Sequence, residues 1–352
     1  MKIIHCADIH LGSRIDSRFP KELSERRKAE VRASFKRMVD FARDNGVKAI
    51  LISGDLFDSD KPFKKDRDFF LSIVERNPSV DFLYLRGNHD EQGDGGEYPN
   101  LKTFSGEWQS YTYENLTISG IEIAGENASS LYSTLALDEN KLNIVALHGQ
   151  TGAVSGVDKV NLTKLRGKFI DYLALGHIHE HAFGKLDERG VWAYSGCLEG
   201  RGFDETGRKG FVLLEIDDKI APQFIPFSQN PIERIELTVT GLTDAYAVEQ
   251  LARKEFTFLP STIYRLVLKG EMDAQVDDLA KDVQKMLGCD CAYLSVKDET
   301  EKKIDFAAYD TDKTLKGEFV RTVYESTELS DEEKARVIAY GLKALAGREI
   351  DV

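Results

Sequence analysis

The sequence predicts an α/β protein in which two sheets pack face to face between helices, with a smaller α+β unit after them. Three observations predict it. The first ninety residues alternate short apolar runs with helix-period segments, the βαβαβ rhythm of a sheet buried by helices. After Asn115, strand-like runs follow one another with few helices, which calls for a second sheet packed on the first. Beyond Ser228–Pro231, where turn residues cluster, strands and helices alternate again in a shorter segment. The domains read as 1–229 and 232–315, with a helical tail over 316–352.

Lys2–Ala7 is the first buried strand. Glu25–Asn45 has Val31, Phe35, Met38, Val39 and Ala42 at helical spacing, and Asn45-Gly46 gives it a C-terminal stop. Ala49–Ser53 is a second strand, Asp66–Glu75 a short helix and Phe82–Leu85 a third strand. Strands are expected next at Leu116–Glu122, Asn143–Leu147, Tyr172–Leu175, Val191–Tyr194, Gly210–Ile216 and Ala221–Pro226. In the smaller unit, Glu233–Thr240 and Tyr264–Lys269 alternate like strands, while Ala245–Lys254 and Asp277–Leu287 read as helices. Ser330 and Glu333 form a capping box before an amphipathic run through Val337, Ile338, Leu342 and Leu345.

The 352 residues are 41% apolar, enough for a sizeable core. No apolar run approaches the ~18 residues of a membrane helix, and Lys2–Ala7 is too short and too polar for a secretory signal. Cys6, Cys197, Cys289 and Cys291 fit free thiols in a reducing cytosol better than a disulfide framework, so a cytoplasmic protein is expected. The net charge of −13 argues against a generally basic nucleic-acid binder; any DNA contact needs a local basic patch. One candidate is the run Arg14, Arg18, Lys21, Arg26, Arg27, Lys28, Arg32, Lys36, Arg37 and Arg43. Asp16, Glu22, Glu25 and Glu30 are interspersed, so it reads either as a phosphate-contact surface or as a solvated helix face of ion pairs.

The chemistry lies at strand ends. Five of the seven histidines sit in short polar motifs directly after apolar runs: Asp8-Ile9-His10, Gly87-Asn88-His89-Asp90, His148-Gly149 and Gly176-His177-Ile178-His179. A fifth motif, Gly54-Asp55-Leu56-Phe57-Asp58, has no histidine. Layered α/β folds bind ligands beyond the carboxyl ends of their strands, so five such ends converge on one site. Carboxylate and amide oxygens mixed with neutral imidazoles suit Mn²⁺, Fe²⁺ or Zn²⁺ better than Ca²⁺ or Mg²⁺. His5 lies inside the first strand and reads as structural.

The ordered series DxH, GDxxD, GNHD, HG, GHxH resembles the calcineurin-like metallophosphoesterases, and it spans about the first 180 residues. The resemblance implies an αββα sandwich and two divalent cations, with Mn²⁺ preferred. It places one cation on Asp8, His10, Asp55 and His179, and the other on Asp55, Asn88, His148 and His177, with Asp55 bridging. It makes His89 the residue that assists the leaving group, and Asp58 and Asp90 the groups that orient ligands or His89. Two cations a few ångströms apart lower the pKa of a shared water and clamp the reacting oxygens for in-line attack on a phosphodiester.

A finer resemblance rests on Ile4–Gly12, on the phrase Ser195–Glu205 and on the α+β unit after residue 232. Together these look like the SbcD family of DNA-repair exonucleases. That resemblance implies a capping domain over 232–315, DNA as substrate, a homodimer and a separate SMC-like ATPase partner of the SbcC type. The chain has no GxxxxGK[ST] phosphate loop of its own, so the ATPase is expected on another polypeptide. Arg14, close to His10, and Arg201, in a Gly-flanked loop, are the candidate substrate contacts; for Arg201 an ion pair with Asp204 or Glu205 is the other reading. The alternative function is a small-molecule phosphodiesterase or phosphatase of the same superfamily.

Overall fold

The structure is a computed structural model describing residues 1–15, 19–87, 90, 98–154, 156–272, 278–302 and 309–345. In chain order the first elements are β1 (Lys2–Cys6), α1 (Lys21–Asp44), β2 (Ala49–Ser53), α2 (Lys64–Arg76), β3 (Asp81–Leu85), β4 (Leu101–Thr103), β5 (Gln109–Tyr113) and β6 (Leu116–Gly120). Then come α3 (Leu131–Thr134), β7 (Leu142–His148), β8 (Gln150–Gly152), β9 (Lys159–Asn161), α4 (Leu162–Leu165), β10 (Tyr172–Gly176), β11 (Ala182–Lys185), β12 (Val191–Tyr194), β13 (Gly210–Ile216) and β14 (Ile220–Pro226). The last are β15 (Ile232–Thr238), α5 (Ala245–Glu255), β16 (Ile263–Met272), α6 (Leu279–Leu287), β17 (Tyr293–Lys302), α7 (Leu315–Tyr324) and α8 (Asp331–Leu345).

Two six-stranded sheets form the frame, in the orders β14-β13-β1-β2-β3-β4 and β11-β12-β10-β7-β6-β5. Parallel pairing runs through β1-β2-β3-β4 in one and β6-β7-β10-β12 in the other, with antiparallel β13 and β14 beyond β1, β11 beyond β12 and β5 beyond β6. Because strand side chains alternate, each strand is shared between two cores. Ile4, Cys6, Ile50, Ile52, Phe82 and Tyr84 pack with Val31, Phe35, Met38 and Ala42 of α1 and Phe70, Ile73 and Val74 of α2. Their neighbours Ile3, Ala49, Leu51, Leu83 and Leu85 face Ile118, Ile144, Ala146, Tyr172 and Ala174 of the other sheet. The far side of that sheet, Val145, Leu147, Leu173 and Leu175, is covered by Leu131, Tyr132 and Leu165. The expected two-sheet sandwich is therefore present. One outer layer is long helices, and the other is the four-residue helices α3 and α4 with loops.

Helix α1 starts four residues before the expected Glu25, because Pro20 precedes it and Leu23 joins its buried face. It ends at Asn45, followed by Gly46 at φ +66°, a left-handed stop that glycine adopts freely. Strands β4, β5, β8, β9, β11 and β17 were not expected. Backbone pairing rather than an apolar face defines them: β5 reads Gln-Ser-Tyr-Thr-Tyr and is mostly exposed.

The chain divides into two compact units. One is Met1–Arg234 with Phe258–Arg265 and Asp290–Leu294; the other is Ile235–Thr257, Leu266–Cys289 and Ser295–Val352. The second unit holds most of the sheet β15-β16-β17, helix α5 packed on α6, and α7 packed on α8. Ser330 and Glu333 form the expected reciprocal cap ahead of α8. Among the described residues no helix is long and apolar enough to cross a membrane.

Candidate metal centre

The described residues of the five motifs lie at the carboxyl ends of parallel strands, after β1, β2 and β3 in one sheet and at β7 and β10 in the other. Pairing continues past the strands: Asp8 N donates to Gly54 O at 3.0 Å, His10 N to Asp55 O at 3.0 Å and Leu11 N to Leu56 O at 2.8 Å. Among the described non-glycine residues, four here have positive φ: Asp8 (52°), His10 (51°), Asp55 (51°) and His177 (101°). That region is costly for side chains with a Cβ, and such strain persists where the surroundings impose it, as at functional sites. Two glycines allow the close packing. A Cβ on Gly54 would lie 2.0 Å from His148 Nδ1, and one on Gly87 would lie 2.1 Å from Asp55 Oδ1.

Asp8, His10, Asp55 and His148 are all buried, at 1%, 2%, 2% and 5% exposure. Asp55 Oδ2 lies 3.4 Å from His148 Nε2 and 3.9 Å from His10 Nε2, between the two imidazoles. His10 Nε2 and His179 Nε2 are 3.2 Å apart, and His179 Nε2 is 4.0 Å from Asp8 Oδ1. Two triads, Asp8–His10–His179 and Asp8–Asp55–His148, each bring one ligand atom per residue within 4.8 Å of one another. His177 donates its backbone N–H to both carboxylate oxygens of Asp8 at 3.0 Å, and its ring stands edge-on to His148 at 5.3 Å. Asn88 and His89 lie outside the described residues.

The donor set fits divalent cations. Two carboxylates are buried together among imidazoles, and burying anions without compensating positive charge is costly. His148 reports the deficit. Burial pulls its pKa down, but the Asp55 carboxylate outweighs this and pushes it up to about 9. His10 is instead lowered by burial against the pull of Asp58, and His177 is lowered by burial and by His148.

Three of the imidazoles meet an oxygen behind the ring. His148 Nδ1 meets Ser53 O at 2.9 Å, His10 Nδ1 meets Asp58 Oδ1 at 3.1 Å and His179 Nδ1 meets Glu205 Oε1 at 3.0 Å. The acceptors behind His148 and His179 place the proton on Nδ1 and leave Nε2 free to ligate, and the Asp58 carboxylate beside His10 Nδ1 favours the same tautomer by its charge. Asp90 accepts from the backbone N–H groups of Leu56, Phe57 and Gly87, so it ties the β3 loop to the β2 loop around Asp55. Burial raises its pKa to about 6 against those hydrogen bonds.

Of the two readings of Arg201, substrate contact or an ion pair with Asp204 or Glu205, the structure shows the ion pair with Glu205. Arg201 is buried at 7% exposure, with Nη2 on Glu205 Oε1 at 2.7 Å and Nη1 on Asp58 Oδ1 at 2.9 Å. Its guanidinium is engaged by the carboxylates behind His179 and His10. The basic run resolves similarly: Arg26, Arg27, Lys28, Arg32, Lys36 and Arg43 pair with Glu30, Glu30 and Glu199, Glu25, Asp66, Asp40, and Asp40 and Asp44. Arg37 donates to Phe227 O, and Arg18 lies outside the described residues. Arg14 remains exposed and lines a cleft of about 460 Å³ with Gly12, Asp58, Lys61 and Phe63. A second cleft, of about 570 Å³, reaches His148 and Asp90 and is lined by Lys61, Arg86, Asp60, Glu122 and Asp158.

A fold of this kind, with acids and imidazoles gathered at the ends of parallel strands in two facing sheets, defines a metal-dependent phosphoester hydrolase. The family model described as calcineurin-like phosphoesterase matches residues 1–181, and the chain belongs to that family. Among its relatives is the uncharacterized metallophosphoesterase YhaO of Bacillus subtilis, 29% identical over 77% of this chain and 72% of that one. The DNA double-strand break repair protein Mre11 of Sulfurisphaera tokodaii is 25% identical over 86% of this chain and 82% of its own. The SbcD subunit of the nuclease SbcCD from Staphylococcus saprophyticus is 27% identical over 70% of this chain and 73% of its own.

Proposed function

We propose that this chain is a two-metal phosphodiesterase that cleaves DNA, a nuclease of the SbcD and Mre11 kind acting in DNA repair inside the cell. The observation that carries the two-metal part is Asp55 Oδ2 lying between His148 Nε2 and His10 Nε2. One cation is assigned to Asp8, His10, Asp55 and His179, and the other to Asp55, Asn88, His148 and His177. Manganese suits this mixture of carboxylate, amide and imidazole donors. When bound, such a pair lowers the pKa of water and polarises a phosphoryl oxygen. The chain's own residues do the rest. Asp58 and Glu205 keep the Nδ1 protons of His10 and His179 in place, and Asp90 braces the loop bearing Asp55. His89 is assigned to the leaving group, and Arg14 to a substrate phosphate.

The DNA part is supported by the names of the relatives, a break-repair protein and a component of a nuclease, each matched over most of its length. In this reading residues 232–315 are a capping domain that helps hold DNA. The chain works as a homodimer, and a separate SMC-like ATPase is its partner. A second reading, hydrolysis of small phosphodiesters, is favoured by the mixed charge of the larger cleft, where Asp60, Glu122 and Asp158 offset Lys61 and Arg86.

The test is incubation with Mn²⁺ and either linear double-stranded DNA or bis-p-nitrophenyl phosphate, with His89→Ala as control. Cleavage of both substrates, lost in the variant, is expected. Cleavage of the small diester alone would make small molecules the substrate, and cleavage of neither would sink the phosphodiesterase assignment.

A further inference from the structure

The segment Ser195–Glu205 carries two buried carboxylates with opposite attachments. Glu199 faces away from the metal centre: it accepts from Ser34 Oγ and Gln229 N at 2.6 Å each, from Ser228 Oγ at 2.7 Å and from Arg27 Nη2 at 3.2 Å. Glu205 faces toward it, with Oε1 3.0 Å from His179 Nδ1. The second oxygen of Glu205 accepts from Arg201 N at 2.8 Å, which fixes the carboxylate against its own loop. Burial pushes the Glu205 carboxyl up, but its bonds to His179 and Arg201 prevail and hold it well below the usual carboxylate range.

Arg201 joins this pair to a second one. Its Nη2 bonds Glu205 Oε1 and its Nη1 bonds Asp58 Oδ1, the oxygen that lies 3.1 Å from His10 Nδ1. Arg201 Nη2 also comes within 3.1 Å of His179 Nδ1. Both groups are donors once Nε2 ligates, so the hydrogen bonds of each go to Glu205 and the close approach follows from sharing that acceptor. A guanidinium presents its donors in a rigid planar fork, so it fixes the two carboxylates relative to each other. Through them it fixes two imidazoles on the same cation. Behind His148 the support is of another kind: its Nδ1 rests on the neutral carbonyl of Ser53.

We infer that Glu205 and Arg201 are positioning residues for one of the two cations. Arg201 clamps Glu205 and Asp58, which aim His179 and His10, while the cation on His148 and His177 does not depend on them. The inference rests on the two-metal assignment above.

The experiment titrates the full-length metal-free chain with Mn²⁺ by calorimetry, following bound manganese by its electron paramagnetic resonance. Wild type, Glu205→Gln, Glu205→Ala, Arg201→Ala and Glu199→Gln are compared, each with its melting temperature. Loss of a partner behind a metal-ligating histidine weakens metal binding by roughly 10- to 100-fold. Glu205→Ala and Arg201→Ala are therefore expected to weaken one Mn²⁺ by that factor and leave the other within about threefold. Glu205→Gln keeps an acceptor oxygen and is expected to recover part of the loss. Glu199→Gln, which lowers stability through the same segment, is expected to bind both ions as wild type does.

Unchanged binding of both ions in Glu205→Ala would overturn the inference. So would equal weakening of both ions there, or the same weakening in Glu199→Gln, since either makes the segment merely structural. Wild type binding fewer than two ions would instead sink the two-metal assignment itself, a separate and distinguishable failure.

Discussion

At the scale of single residues, the centre depends on close approach as much as on donor chemistry. Asp55 is 2% exposed and reaches both His10 and His148, so in the proposed assignment it is the side chain through which the two cation positions are coupled. Saturating Mn²⁺ at 100 times its Kd stabilises a folded protein by about 2.7 kcal/mol per ion. Asp55→Asn is expected to lose most of that stabilisation, read as the rise in melting temperature between EDTA and Mn²⁺, and to lower hydrolysis at least ~100-fold. Gly87→Ala is expected to do the same without removing any donor, because its Cβ would overlap Asp55 Oδ1. A normal Mn²⁺-induced shift in Gly87→Ala would show that Asp55 does not need the position described.

At the scale of elements, β1 and β10 face each other across the core between the sheets and share a buried polar contact, His5 Nδ1 to Tyr172 Oη at 2.8 Å. Burial lowers the His5 pKa to about 3, from an unfolded value near 6.5. The folded protein thus refuses a proton that the unfolded chain accepts. Stability is unaffected by His5 above about pH 6.5 and falls as pH drops below it, by up to ~1.4 kcal/mol per pH unit until the folded pKa is reached. Replacing both partners, His5→Leu with Tyr172→Phe, is expected to be near neutral at pH 7. It should also flatten the loss between pH 6.5 and 5, measured by urea unfolding in EDTA. An unchanged acid slope would rule out His5 as its source. The position of His5 within the strand marked it as structural, but no local pattern named Tyr172, 167 residues away, as its partner.

At the scale of the whole molecule, the centre lies in the first compact unit and gathers its donors from segments up to 171 positions apart, Asp8 to His179. Binding of Mn²⁺ is therefore expected to slow amide hydrogen exchange at residues 8–12, 53–58, 146–149, 176–181 and 201–205 together. Exchange in α5 and α6, in the other unit, should be unaltered. Protection confined to one of those segments would contradict a shared centre.

The family, the two-sheet plan and the strand-end motifs were all legible in the order of the residues. Apolar runs mark buried strands, and polar residues directly after them mark the place where a layered fold exposes its ligands. Edge strands such as β5 were not legible, because backbone partners rather than an apolar face define them. What the charges do was settled by packing alone. The basic residues of α1 could have faced phosphate, but most find acids, some from distant segments such as Asp66 and Glu199. Arg201 could have met substrate but turns inward to Glu205 and Asp58. A charge acts through whatever the fold places within a few ångströms of it, and local sequence spacing sets that distance only for near neighbours.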